Sequence, residues 1–232
     1  DSRCRCGFKL AIKQAACKPL WHDVSFSRKG CRTMSISPDY FKQHYGLSTT
    51  HSEVQAWVEA GPLNHGHVLD LGCGRGRNAL YLAKHGFDVH ACDADEASIA
   101  TLNHIITAEN MDNIETDVYD INRAVVQSTY DVVVSTVVLQ FLKPERIADI
   151  IHNMQAQTAV GGWNLIVSAM ETEGANVPSV LQFLFKPNQL RELYADWDIV
   201  KYNEDEGSLH RTDANGNHIC LNFATMWARK RA

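Results

Sequence analysis

The chain has 232 residues, of which 45% are apolar, and this suits one globular α/β domain with a tail. Its formal net charge of −5 argues against a nucleic-acid-binding surface, because such surfaces need an excess of Lys and Arg. No apolar run approaches the roughly 20 residues that cross a bilayer, so no membrane partner is predicted.

Residues 1–33 differ in composition from the rest of the chain. They carry eight Lys or Arg against two Asp, whereas residues 34–232 are acidic overall. Four cysteines also lie there, at positions 4, 6, 17 and 31, without the spacing of a zinc site. We therefore expect 1–33 to be an N-terminal extension with little stable structure, and 34–232 to form the domain.

The other three cysteines, Cys73, Cys92 and Cys220, fall singly inside apolar segments. This pattern is typical of buried thiols in a reducing compartment. It predicts a cytoplasmic protein with no bound metal.

From residue 52 onward, helical and strand patterns alternate along the chain. Helices are predicted at 52–60, 76–85, 96–109, 144–158 and 188–196. Strands are predicted at 67–72, 87–93, 114–120, 130–138, 161–170, 198–207 and 218–230, with a turn at 213–217 between the last two. The alternation predicts an α/β three-layer sandwich, with helices on both faces of a mostly parallel seven-stranded sheet.

The segment VLDLGCGRGRN, residues 68–78, joins the first strand to the next helix through spaced glycines. A Walker A loop is unlikely, because Arg77 and Asn78 stand where that loop needs Lys and Ser or Thr. A dinucleotide fingerprint is disfavoured too, because its third glycine would fall at Arg77.

The remaining pattern, Asp70, Gly72, Gly74 and Gly76, resembles motif I of class I S-adenosylmethionine-dependent methyltransferases. Asp93 ends the second strand, where an acidic side chain can accept hydrogen bonds from both ribose hydroxyls. The resemblance implies that Asp120 and Ile121, after the third strand, contact the adenine. It also implies a Rossmann-like fold with an antiparallel C-terminal strand at the far edge of the sheet.

A closer resemblance is to the TehB family of tellurite-resistance methyltransferases. It is carried by YFKQHYGLSTTHSEV (40–54), LDLGCGRGRNALYLAKHGFDV (69–89), VSTVVLQFL (134–142), GGWNLIV (161–167), YNEDEGSLHRTDANGN (202–217) and FATMWARK (223–230). These segments cover nearly the whole chain from Asp39 to Lys230. The resemblance implies S-adenosyl-L-methionine as cofactor, and tellurite and selenite as acceptors.

The chalcogen of these oxyanions carries its own lone pair, so the site must aim an anion rather than remove a proton. Arg211 of SLHRTD is predicted to hold the oxyanion, with His210 as donor or proton shuttle.

Tyr45 and His51 are candidates to touch the methionine end of the cofactor, or else to cover the sheet edge. His218 stands where the family often has Arg; if it binds the oxyanion, affinity should fall at high pH.

Three rival functions remain open from sequence. They are methylation of another small nucleophile such as a thiol or selenol, cofactor binding without catalysis, and a nicotinamide-dependent oxidoreductase. No exposed apolar stripe stands out, which favours a monomer or a weak homodimer.

Overall fold

The computed structural model describes residues 36–212 and 218–232, with residues 210–212 described by their backbone alone. The expected extension at 1–33 and the expected turn at 213–217 lie outside these residues. None of the helices within the described ranges combines the length and the apolarity needed to span a bilayer.

The described residues form one seven-stranded sheet and six α-helices. The strands are β1 His67–Leu71, β2 Asp88–Asp93, β3 Ile114–Val118, β4 Tyr130–Thr136, β5 Thr158–Ala169, β6 Asp198–Thr212 and β7 His218–Arg229. The helices are α1 Tyr40–Tyr45, α2 Ser52–Ala60, α3 Arg77–Lys84, α4 Glu96–Ala108, α5 Ile147–Gln157 and α6 Gln189–Leu193. Short 3₁₀ helices occupy Ile121–Arg123, Leu139–Phe141 and Pro144–Arg146.

The strand order is β3-β2-β1-β4-β5-β7-β6, and the first five strands in this order run parallel. The predicted fold class is confirmed. One detail differs, because the antiparallel strand β7 lies between β5 and β6 rather than at the edge. The order reverses between β1 and β4, which is where open α/β sheets bind ligands.

Alternate residues of the buried strands contribute their side chains to two separate hydrophobic cores. Val68 and Val134 pack with α1 to α4 on one face, whereas Leu69 and Val133 pack with α5 and α6 on the other. Since side chains alternate along a strand, an unbroken apolar run such as VVV in β4 fills both cores at once. This confirms the three-layer arrangement.

Near the site described below, three strands end two or more residues away from their predicted ends. β3 ends at Val118, so Asp120 lies two residues beyond it. β4 ends at Thr136, because Val137 adopts a φ of 61° that a strand cannot accommodate. β6 continues to Thr212 by pairing with β7, which places residues 208–212 on a strand rather than in a loop.

Candidate active site

The turn after β1 approaches a neighbouring side chain so closely that only glycine fits at Gly72. Its φ is 82°, and a Cβ there would lie 2.5 Å from both methyl groups of Val138. Gly74 also has a positive φ, 53°, but nothing lies within 4 Å of its Cβ position. Gly72 is thus explained by packing, whereas Gly74 borders open space that a ligand can enter.

Asp93, at the end of β2, holds this turn in place. One carboxylate oxygen accepts the Gly74 N–H at 2.8 Å, and the other accepts the Asp95 N–H at 2.9 Å. Each carboxylate oxygen can accept a second hydrogen bond, so the same side chain can also receive ligand hydroxyls. The structure therefore brings Asp93 and Gly74 together, as the sequence analysis expected of a cofactor site.

Asp70, two residues before Gly72, is a buried carboxylate whose loss of hydration is not fully offset by hydrogen bonds. It is 1% exposed, and its Oδ2 has no hydrogen-bond partner among the described residues. Burial raises the pKa of Asp70 to about 7, although the nearby positive charge of Arg77 opposes the rise. An orphaned acceptor beside the turn fits a cationic ligand and disfavours a pyrophosphate.

This arrangement predicts pH-dependent cofactor binding. A cation bound near Asp70 stabilises its carboxylate, so binding releases a proton wherever the free protein is still protonated. With a pKa of about 7, affinity for S-adenosylmethionine should rise roughly fivefold from pH 6 to pH 7, below the pH at which the α-ammonium group of the ligand loses its proton. Calorimetry across this range measures the trend, and the Asp70→Asn protein serves as a control that should show no pH dependence. An equal pH dependence in both proteins would contradict the assignment.

Asp120 and Ile121 lie just beyond β3. Asp120 is exposed and caps the 3₁₀ helix, with its Oδ1 accepting from both the N–H and the side-chain amide of Asn122. Ile121 is 5% exposed and packs into the core on the α5 side. The adenine contacts expected of both residues stay a prediction; among the described residues, hydrogen bonds are made to Oδ1 of Asp120 and none to its Oδ2.

A cavity of about 270 Å³ opens beside the glycine turn. Its walls come from the turn itself, from the end of β4 and from the segment before α2, and it is lined by residues 47, 48, 72–75, 77, 78 and 136–138. We call it the cofactor cavity. Asn78 joins two of its walls, because its Nδ2 donates to Thr136 at 2.9 Å and its Oδ1 accepts the His51 N–H at 3.0 Å.

A second cavity of about 240 Å³ lies on the side of the hairpin formed by β6 and β7. We call it the acceptor cavity; it is lined by residues 51–53, 77, 137, 167, 205–209, 223 and 225. Arg77 and Val137 line both cavities. The two cavities therefore share these two residues as part of their walls.

The two N-terminal aromatic candidates have different surroundings. His51 caps α2, accepting the Glu53 N–H at 3.2 Å, and it lines the acceptor cavity. Tyr45 instead donates its hydroxyl to Glu109 at 2.8 Å, at the end of α4, and lines neither cavity. Tyr40 donates to the same oxygen and Lys84 pairs with the other, so this cluster fastens α1 to the domain.

The predicted acceptor-binding residues of the hairpin are only partly described. His210 and Arg211 lie on β6 near its end, but their side chains are outside the described residues. His218 begins β7, opposite Thr212, and is exposed. The roles proposed for these three side chains remain predictions.

Two residues of the site were not predicted from sequence. In the sequence, Arg77 counted only against a Walker A loop and a dinucleotide fingerprint, although a cation directly after a ligand-binding turn is itself a signal. Val137 carries a positive φ that is rare for a β-branched residue, and its N–H donates to the Val167 carbonyl at 2.7 Å. No sequence pattern indicated that backbone conformation.

Comparison with known proteins identifies relatives of this chain. The family described as "Tellurite resistance protein TehB" matches residues 34–227. A "Probable S-adenosyl-L-methionine-dependent methyltransferase TehB" of Haemophilus influenzae is 50% identical over 194 residues, covering 83% of this chain and 66% of the relative. "Hemagglutinin 1" of Eikenella corrodens is 44% identical over 193 residues, covering 83% and 63%.

A solved structure supports the same relationship. The crystal structure of TehB from Haemophilus influenzae superposes with a TM-score of 0.79 at 48% identity, over 84% of this chain and 67% of that one. The chain thus spans about two thirds of the length of these relatives. The predicted cofactor is the one for which the Haemophilus relative is named.

The fold, the glycine turn and the extent of the match together show that the chain belongs to the TehB family of class I S-adenosylmethionine-dependent methyltransferases.

Proposed function

We propose that this chain transfers a methyl group from S-adenosylmethionine to tellurite and selenite, as a cytoplasmic detoxifying enzyme acting as a monomer or weak homodimer. The observation that carries the proposal is that two cavities share Arg77 and Val137 as part of their walls. One is bordered by a glycine turn that Asp93 secures, and the other by the hairpin that bears His210 and Arg211.

The described residues fit the cofactor. Gly74 lets the backbone lie close to its methionine end, and the charge of Asp70 beneath the turn would favour its ammonium group. Asp93 would accept from the ribose hydroxyls, and Asp120 with Ile121 would hold the adenine. Bound S-adenosylmethionine would supply an electrophilic methyl group on a sulfonium, and S-adenosylhomocysteine would be the leaving group.

The protein must then desolvate the acceptor and orient its attacking atom toward the methyl group. Val137, Val167, Leu209 and Phe223 give the acceptor cavity apolar walls that exclude water. Arg211 and His210 would hold the oxygens of the acceptor, so that the chalcogen faces the cofactor cavity. No general base is required, because the attacking atom carries no proton.

The test is product formation. The purified chain, incubated with S-adenosylmethionine labelled in the methyl group and with tellurite or selenite, should release S-adenosylhomocysteine and give a labelled methylated chalcogen oxyanion, both detected by mass spectrometry. Tight cofactor binding without transfer to any acceptor would instead identify a cofactor sensor. Protection against heat by a nicotinamide dinucleotide, and not by S-adenosylmethionine, would identify an oxidoreductase.

A second acceptor class is favoured by the apolar side chains Leu209 and Phe223, which an organic thiol or selenol could contact. Such an acceptor must lose its proton before it attacks, so its rate should rise with pH. Turnover of simple thiols or selenols in the same assay, without turnover of tellurite or selenite, would establish this alternative.

A further inference from the structure

The guanidinium of Arg77 has no hydrogen-bond or ion-pair partner in the part of the chain that the structure describes, and only the more distant charge of Asp70 acts on it. It is half-buried at the first position of α3, yet no hydrogen bond or ion pair is made by its five N–H groups. Only its backbone carbonyl is used, by the Thr50 hydroxyl at 3.0 Å. A cation withdrawn from water without hydrogen bonds is costly, so a ligand is the natural partner for this charge.

The surroundings of Arg77 suit an anion. Besides the cofactor and acceptor cavities, Arg77 lines a third cavity of about 480 Å³. Its other polar side chains are Lys42, Ser48, Thr49, Thr50, His51 and Ser52, and no carboxylate lines it. We call it the hydroxyl cavity, and its charges would attract an anion toward Arg77.

Another part of the wall of the acceptor cavity is acidic. It presents Asp205 and Glu206 of β6. Glu53 also lines this cavity, but both of its oxygens are bound by Lys201, at 2.9 and 2.6 Å. An anion in the acceptor cavity would therefore be attracted to Arg77 and repelled by the carboxylates of Asp205 and Glu206.

We propose that Arg77 is a further anion-binding group of the acceptor cavity, where it binds oxygens of the oxyanion together with His210 and Arg211, and that the hydroxyl cavity is the route by which the anion reaches it. This inference rests on the proposed function only in taking the acceptor to be an oxyanion. The planar fork of a guanidinium matches two oxygens of such an acceptor, which a lysine ammonium does not.

The test compares Arg77→Gln and Arg77→Lys with a matched control, Arg75→Gln. Arg75 belongs to the same turn and lines the cofactor cavity but neither of the other two. Binding of selenite is measured by calorimetry on protein saturated with S-adenosylhomocysteine, and binding of S-adenosylhomocysteine is measured separately. Arg77→Gln should weaken selenite binding at least about tenfold and Arg77→Lys less, because a charge remains. Both should retain binding of S-adenosylhomocysteine, with a smaller loss of affinity than for selenite, and Arg75→Gln should leave selenite binding unchanged.

Two results would overturn the inference. One is loss of S-adenosylhomocysteine affinity in Arg77→Gln with selenite binding intact, which would make Arg77 a ligand of the cofactor carboxylate. The other is a wild-type protein that binds no selenite. If selenite binds in an Arg77-dependent way but no methylated product forms, the anion site stands and the proposed methyl transfer fails. The retained affinity for S-adenosylhomocysteine shows that the variants are folded.

Discussion

Replacement of Asp93 by alanine is expected to weaken S-adenosylmethionine binding by at least about 100-fold and to abolish turnover. Asp93 secures the Gly74 N–H and is the predicted acceptor for both ribose hydroxyls. Two hydrogen bonds to a charged group contribute about 1.5–3 kcal/mol each, so losing them accounts for that factor or more. Titration calorimetry with S-adenosylmethionine measures the effect.

The matched control is Asp95→Ala, two residues further on. Asp95 caps α4, where its carboxylate accepts from the Ala97 and Ser98 N–H groups. Losing this cap should reduce the free energy of unfolding by about 1 kcal/mol and leave cofactor affinity unchanged. Cofactor binding by Asp93→Ala that matches the wild type would contradict the role given to Asp93.

The second large effect is expected from alanine substitutions at two glycines of the turn, which should lower stability and cofactor affinity to different extents. Gly72→Ala should reduce the free energy of unfolding by about 2–4 kcal/mol, since its methyl group would overlap Val138 and its φ of 82° strains an alanine. Gly74→Ala should cost only about 1–2 kcal/mol, because its surroundings are open. It should nevertheless lose at least about tenfold in cofactor affinity, because the methyl group enters the space that the cofactor needs.

Gly174→Ala is the control for backbone strain alone. Gly174 has a φ of 73° and nothing within 4 Å of its Cβ position, but it lines neither the cofactor cavity nor the acceptor cavity. Thermal unfolding and calorimetry on the three variants separate stability from binding. Equal cofactor affinity in Gly74→Ala and Gly174→Ala would show that the space beside Gly74 is not the cofactor site.

The fold could be predicted because local and global signals agree in this chain. The apolar spacing in α4 predicted Ile99, Leu102 and Ile105 as its inner face, and all three are buried. The β-branched run of β4 predicted a central strand covered on both faces, and β4 lies between β1 and β5. The position of β7 could not be read in the same way, because a hairpin pattern does not say which of its strands joins the sheet.

Those residues of the candidate site that belong to one local backbone feature, the glycine turn with its flanking strands, could be predicted. Asp70, Gly72, Gly74 and Asp93 follow from a strand, a tight turn and the next strand, so their proximity was expected. The positions of Arg77 and Val137 in the site depend on tertiary structure, since each lies where the N-terminal segment, β4 and the hairpin converge. Tyr45 shows the reverse case, because a residue in a family-like segment turned out to serve the anchoring of α1 through Glu109.

The most direct test of this account is a crystal structure of the protein with S-adenosylhomocysteine bound. We predict electron density for the ligand in the cofactor cavity, with the ribose hydroxyls on Asp93 and the sulfur facing Arg77 and Val137. Ligand density elsewhere, with the space beside Gly74 and Asp93 empty, would contradict it.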